Sequence, residues 1–221
     1  PVLPRLIQGG MGAGVSSWTL AREVSSLGQL GVVSGTALDS ILVRKLWDGD
    51  PDGHARRAMA AFPSQAIVGA VLDKYFREGG EATGTHRGAR YKLAPLLRAP
   101  LKADRNSLIV LANFVEVFLA KEGHDGVVGI NYLEKIQMPT LPSLYGAMLA
   151  DVDVVLMGAG IPIEIPDVLD RLAEHAPVSI RLDVQEAGDR TFELTFDPRS
   201  IGLGEGMVDL RRPAFLPIVS A

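Results

Sequence analysis

At 221 residues, 47% hydrophobic and 22% charged, the chain has the make-up of a globular protein and not of a disordered one. A formal net charge of −4 gives no overall nucleic-acid signature, which would call for a net basic domain. With no cysteine, disulfides, thiolate metal sites and cysteine nucleophiles are removed together, and the expected location is cytoplasmic. The longest uncharged run, Leu6 to Ala21, is rich in glycine and serine, so a membrane span is not expected, and no secretory signal opens the chain.

In chain order, short apolar runs alternate with amphipathic segments. The runs are "RLIQ" before Gly9, Leu30–Gly35, Val127–Leu133, Val152–Gly158 and Phe215–Ser220. Runs of this length, apolar on both alternations and bounded by glycine, read as strands buried on both faces. Helices are expected over Ser17–Leu27, over Ala37–Phe62 with a break at "DGDPDG", and over Ser64–Phe76, Ser107–Lys121, Ser143–Leu149 and Pro166–His175. Strand and helix in repetition imply parallel pairing with helices packed outside, an α/β fold.

Two stretches break the rhythm. Residues 38–126 form a mostly helical insertion with a polar middle; from Lys74 to Arg105 it carries eight Lys or Arg against three acidic residues. That basic run reads as a solvated loop, or more sharply as a lid or a contact for an acidic ligand. Residues 178–197 alternate polar and apolar around "EAGD" and read as a β-hairpin with one wet face.

The stretch "QGGMGAG", Gln8 to Gly14, ends the first apolar run with four glycines in six residues. Glycine there leaves room for another body near the main chain or permits positive φ. A phosphate-cradling loop needs the lysine and hydroxyl of GK[ST], and neither follows. A dinucleotide fingerprint would need glycine where Val15 or Ser17 stands, and an acid where Ser34 stands. What remains is a flat, uncharged ring lying against backbone, with Met11 facing it, or a tight turn with no ligand. The other strand ends are small or polar too: Ser34–Gly35–Thr36, Asn131–Tyr132, Gly158–Ala159–Gly160 and Ser220. In α/β folds the carboxyl edge of the parallel strands is the functional rim, so these ends suggest one shared pocket. Asn131, which both donates and accepts, suits a ring with carbonyl and imide edges, and it equally suits a helix cap or Asx-turn.

"IQGGMGAGVSSW", "LGVVSGTALD", "NFVEVFLAKEGHDGVVGINYLEKIQMPTLPSLYGAML" and "VVLMGAGIP" closely resemble the nitronate monooxygenase family, formerly 2-nitropropane dioxygenases. They match its long-insert branch, which includes trans-acting enoyl reductases of polyketide and fatty-acid synthesis. The likeness spans nearly the whole chain and is weakest over residues 74–105 and 178–197. It implies a TIM (β/α)8 barrel flavoprotein that binds FMN without a covalent link and oxidises alkyl nitronates with O2. By match of motif, Gln8, Gly9, Gly10, Met11 and Gly12 would lie at the flavin ring. Asn131 would match the family's flavin-contacting asparagine, and Gly158, Ala159 and Gly160 would line the pocket with the remaining rim residues.

The family's catalytic histidine stands in a "GGH"-type motif, and none of the four histidines fits it. His54 starts a helix, His86 lies in the basic loop, and His124 and His175 stand at helix ends; each reads as a surface or capping residue. No residue is therefore assigned a catalytic or a metal-binding role. Five core strands are found where the barrel needs eight and about 250 residues. The expectation is that residues 1–221 form the amino-terminal part of one flavin-binding barrel domain, with its exposed edge favouring self-association and its isolated activity lost. The expected partners are an alkyl nitronate and O2, with no nucleic acid and no membrane, and a homo-oligomer is possible. Two rival readings stand beside this one. An FMN-dependent enoyl reductase would meet an acyl carrier protein through the basic insertion, and a non-catalytic remnant would keep the flavin fold as a binding or scaffold protein.

Overall fold

The computed structural model describes residues 4–80, 97–186 and 188–218. The expected elements at residues 81–96, with His86, and Ser220 lie outside the described residues. The chain leaves the glycine turn into α1 (Trp18–Ser26), whose first amide is held by a carboxylate from another helix, since Trp18 N donates to Glu116 Oε1 at 3.0 Å. Gly28, at φ +73°, turns it into β1 (Gly31–Ser34), buried at every residue. Then come α2 (Leu38–Trp47), α3 (His54–Ala60) and α4 (Gln65–Tyr75). The break inside "DGDPDG" is built by Gly49 and Asp50 at positive φ; the Asp50 carboxylate then caps α3 by accepting from Ala55 N and Arg56 N.

Helix α5 (Ala103–Lys121) starts four residues before the expected Ser107 and is buried on nearly every side. It packs against α1, α2, α3, α4 and α6, which is why its sequence is apolar all round. After it come β2 (Val128–Leu133), α6 (Thr140–Leu149), β3 (Val154–Gly158) and α7 (Ile165–Ala173). Helix α6 begins three residues before the expected Ser143 because Pro142 falls in its first turn, where a missing N–H costs nothing. It crosses α5 closely at Gly146, where a Cβ would stand 2.2 Å from Val110 O. The hairpin is β4 (Val178–Leu182) with β5 (Phe192–Phe196), antiparallel, with Val178, Ile180, Leu194 and Phe196 buried and the alternate residues wet. A 3-10 turn at Pro198–Ile201 leads on to β6 (Ala214–Pro217).

The result is an α/β fold with a four-strand parallel sheet in the order β1-β2-β3-β6 and a separate two-strand hairpin. The first apolar run departs from expectation. Instead of a fifth strand, Ile7 forms a single parallel bridge to Leu30, and Leu6 and Ile7 stay 68% and 53% exposed. A strand needs a ladder, and here the chain turns off at Gly9 and Gly10 before a second rung can form. The last run begins one residue earlier than expected and its strand ends at Pro217, with Ile218 N still donating to Met157 O at 2.8 Å.

The two faces of the sheet differ. Val33, Val128, Ile130, Tyr132, Val155 and Met157 join the large core with residues from all seven helices. The opposite face holds only a small cluster, Leu30, Val32, Val154 and Leu156. The glycine turn folds over that second face.

Candidate functional site

The site grows from the carboxyl end of β2. Register sets Ser34 beside Asn131, Asn131 beside Leu156, and Leu133 beside Gly158, so three strand ends share one edge. Asn131, only 4% exposed, points its amide at the glycine turn. Its Nδ2 donates to Gly9 O at 2.8 Å and reaches Met11 Sδ at 3.3 Å. Because Gly9 O can only accept, the orientation of the amide is fixed by its partner. Asn131 Oδ1 is then buried with no hydrogen-bond partner.

The turn is clamped from below. Gln8 Oε1 accepts from Val32 N at 2.9 Å, and Gln8 Nε2 donates to Ser16 Oγ at 2.9 Å. Ser16 Oγ donates to Met11 O at 2.9 Å, and Ser34 N donates to Ser16 O at 2.9 Å. Every link joins neutral groups, so the glycine turn carries hydrogen-bonding demand without charge.

The glycines divide into two kinds. Gly10, at φ +65°, is bare because the sheet occupies its space: a Cβ would stand 2.4 Å from Val32 Cγ1. Gly35 and Gly160 are filled likewise. A Cβ on Gly35 would meet the Tyr132 ring at 2.2 Å, and one on Gly160 would meet Glu134 Oε2. Gly9, Met11 and Gly12 are exposed, and of the two glycines Gly9 is the open one, since a Cβ on Gly12, at φ +82°, would stand 3.1 Å from Val15. Thr36 is half-buried at the head of the loop to α2, and Gly158 is buried with Ala159 exposed at φ +60°.

Glu134 was passed over in the sequence. It extends the β2–β3 ladder by donating its N–H to Gly158 O at 2.8 Å, and its half-buried carboxylate lies against Gly160. Ser16 was passed over too. The signals were a charge straight after an apolar strand and a hydroxyl inside a glycine turn. The structure thus gathers Gln8, Gly9, Gly10, Met11, Ser34 and Asn131 around one turn, with Asn131 on Gly9 and Met11 and with Gln8 and Ser34 joined to it through Ser16. Gly158, Ala159 and Gly160 meet the same edge through Glu134 and not through the glycine turn.

Under the rim, Tyr132 donates to Asn113 Oδ1 at 2.8 Å with Ser143 O at 3.0 Å, and burial pushes its phenol well above the usual range. His54 and His124 sit at helix ends, bonded to Arg57 and to Ala120 O. His175 departs from the expected surface residue. It is 6% exposed, with Nδ1 2.7 Å from Tyr145 Oη and Nε2 3.0 Å from Val208 O. The segment around Val208 comes back over the end of α7 and covers it, a contact from distant sequence. Asp39 and Arg105, near the starts of α2 and α5, form an ion pair that leaves Arg105 Nε and Nη1 buried without partners.

Three hollows of about 500, 250 and 460 Å3 lie around the hairpin, lined by Arg181, Asp183, Glu186 and Thr191, by Leu101, Met138 and Phe192, and by Arg171, Ser179 and Asp197 among others. None is lined by the rim residues named above. The rim is the stronger candidate, because a buried acceptor without a donor is an unmet demand that a ligand can answer. Among the described residues no group of three or more His, Asp or Glu is placed to hold a metal ion, and no helix is long and apolar enough to cross a membrane. Comparison of the chain with protein-family models, curated proteins and solved structures gives no match, so the reading of this rim rests on its own residues.

Proposed function

We propose that this rim seats the isoalloxazine of FMN and that the chain belongs to an FMN-dependent nitronate monooxygenase built on a (β/α)8 barrel. The observation that carries the reading is Asn131 Oδ1, a buried acceptor whose amide is locked by Gly9 O. Leaving such an atom unpaired costs about 1–3 kcal/mol, and a ring N–H would recover it. The exposed backbone at Gly9 and Gly12, with Met11 between them, offers an uncharged surface of the kind a flat ring needs. Ser34, Gly35 and Thr36 on one side and Gly158, Ala159 and Gly160 on the other would border it. The sheet order supports the barrel: neighbouring strands follow one another along the chain, and helices pack on one face. FMN, when bound, supplies the redox chemistry that carries electrons from an alkyl nitronate to O2. The chain's part is to hold the ring, keep its polar edge paired and leave its open face to substrate.

The test is a fluorescence titration of the chain with FMN. A saturable quench that Asn131→Leu abolishes is expected. No saturation up to about 1 mM, which corresponds to about −4 kcal/mol, would overturn the reading. Anaerobic mixing then separates the activities. Bleaching of the flavin by propyl-2-nitronate supports the monooxygenase, and bleaching by NADPH supports the enoyl reductase.

A further inference from the structure

We propose that Met11 is a reversible oxidation site through which peroxide controls the shape of the glycine turn. The chain has six methionines. Met59, Met148 and Met157 are at most 1% exposed, and Met138 and Met207 are half-buried. Met11 is 59% exposed, the most open of the six, so it is the methionine that solvent peroxide reaches first.

Its place in the turn gives oxidation a consequence. Met11 Sδ lies 3.3 Å from Asn131 Nδ2, whose other hydrogen is committed to Gly9 O. Met11 O is itself held by Ser16 Oγ. The side chain and main chain of this residue are therefore tied to the sheet from both directions. A thioether is a weak acceptor. In the step itself the sulfur lone pair attacks one oxygen of hydrogen peroxide and the O–O bond breaks. An S–O bond forms, the sulfur loses two electrons, and the other oxygen leaves as water after taking up the proton. The sulfoxide oxygen is a strong acceptor that adds bulk between Sδ and Nδ2. Gly10 cannot yield inward, because it already lies on Val32. The displacement falls on Gly12, at φ +82°, and on the bonds Val15 N to Gly12 O and Ser17 N to Val15 O. Methionine sulfoxide is enzymatically reducible, so the change is reversible.

This inference stands whether or not the rim seats FMN, and its test uses the full chain without flavin. Treatment with hydrogen peroxide and peptide mass mapping should show Met11 oxidising at least about tenfold faster than Met59, Met148 or Met157, in keeping with its exposure. Amide hydrogen exchange at Val15 and Ser17 should quicken severalfold in the oxidised chain and return after treatment with methionine sulfoxide reductases. Met11→Leu, which keeps the volume and has no sulfur, should show no response to peroxide, and Met11→Gln should shift exchange without it. Met138 or Met207 oxidising as fast as Met11 would overturn the proposal. So would unchanged exchange at Val15 and Ser17 once Met11 is oxidised.

Discussion

Asn131→Leu keeps the size of the side chain and removes both polar atoms, so its cost can be worked from the contacts. The loss is the bond from Nδ2 to Gly9 O at 2.8 Å, about 1 kcal/mol net. Gly9 is exposed, so its carbonyl turns to water and adds little to that loss. Against it stands relief of the buried, unpaired Oδ1, about 1–3 kcal/mol. The balance runs from neutral to a gain of about 2 kcal/mol, which for a chain of this length raises Tm by roughly 4–8 °C. Asn131→Asp is the contrast. It turns a carboxylate toward Gly9 O in a buried setting and should cost about 3–5 kcal/mol. Thermal and urea unfolding of the three proteins checks the order Leu at or above Asn, with Asp far below. An asparagine whose removal stabilises the fold while abolishing ligand binding is held for function. A loss of more than about 3 kcal/mol on Asn131→Leu would refute the reasoning, because an acceptor already satisfied has no penalty to relieve.

Three further outcomes follow from other parts of the molecule. Gly146→Ala should lose about 1–3 kcal/mol in urea denaturation, since its Cβ would press on Val110 O at 2.2 Å and backbone cannot swing away as a side chain can. Tyr145→Phe should cost about 1–3 kcal/mol in the same assay by leaving buried His175 Nδ1 without its hydroxyl, and a change under 0.5 kcal/mol, about that of a surface substitution, would show that water replaces it. Beneath the sheet, Arg211 bonds Asp151 Oδ1 and Asp153 Oδ1 at 2.6 and 2.8 Å. Burial raises the Asp151 carboxyl, but the Arg211 bond and the charges of Lys121 and Arg211 outweigh it and hold the group below its ordinary value. A depressed carboxylate stabilises the fold above the unfolded pKa, about 3.9, and loses that contribution as pH falls through the folded value. The wild type should therefore shed stability below about pH 4, and Arg211→Ala should reduce that loss by about 0.2–1 kcal/mol, the modest size expected of exposed pairs.

The strands at Val128–Leu133 and Val154–Gly158 were legible because a parallel strand covered on both faces must be apolar on both alternations. "RLIQ" carries the same pattern without becoming a strand. Periodicity records what a residue tolerates, whereas a ladder depends on how long the neighbour stays alongside. Helix α5 read correctly as a helix but started early, because Ala103–Asn106 carries no cap that marks the boundary. The rim was legible as a set of small residues, yet glycine alone does not tell room for a ligand from room for the protein's own sheet. At Gly10, Gly35 and Gly160 the occupants are Val32, Tyr132 and Glu134. His175 was misread because its cover arrives with Val208, thirty-three residues later, and no local pattern announces such a contact.

The order of the strands narrows where a ligand can lie. In a doubly wound sheet the chain reverses after its first strand, helices cover both faces, and the ligand takes the crevice at the reversal. Here the order runs β1, β2, β3, β6 without reversal, and all seven helices join the core on one face. No switch crevice exists among the described strands, so the dinucleotide geometry already disfavoured by Val15 and Ser34 is missing from the backbone as well. The unpaired Asn131 Oδ1 stands on the other face, at the carboxyl end, where Ser34 and Asn131 are adjacent and the glycine turn crosses them. The turn is fixed over Asn131 by two anchors, Ser16 on the main chain of Met11 and Asn131 on its sulfur. Ser16→Ala should loosen the first anchor, quickening hydrogen exchange across residues 11–15 while leaving global stability within about 0.5–1.5 kcal/mol, the worth of one hydrogen bond. Unchanged exchange would mean that Gln8 and Asn131 hold the turn without it.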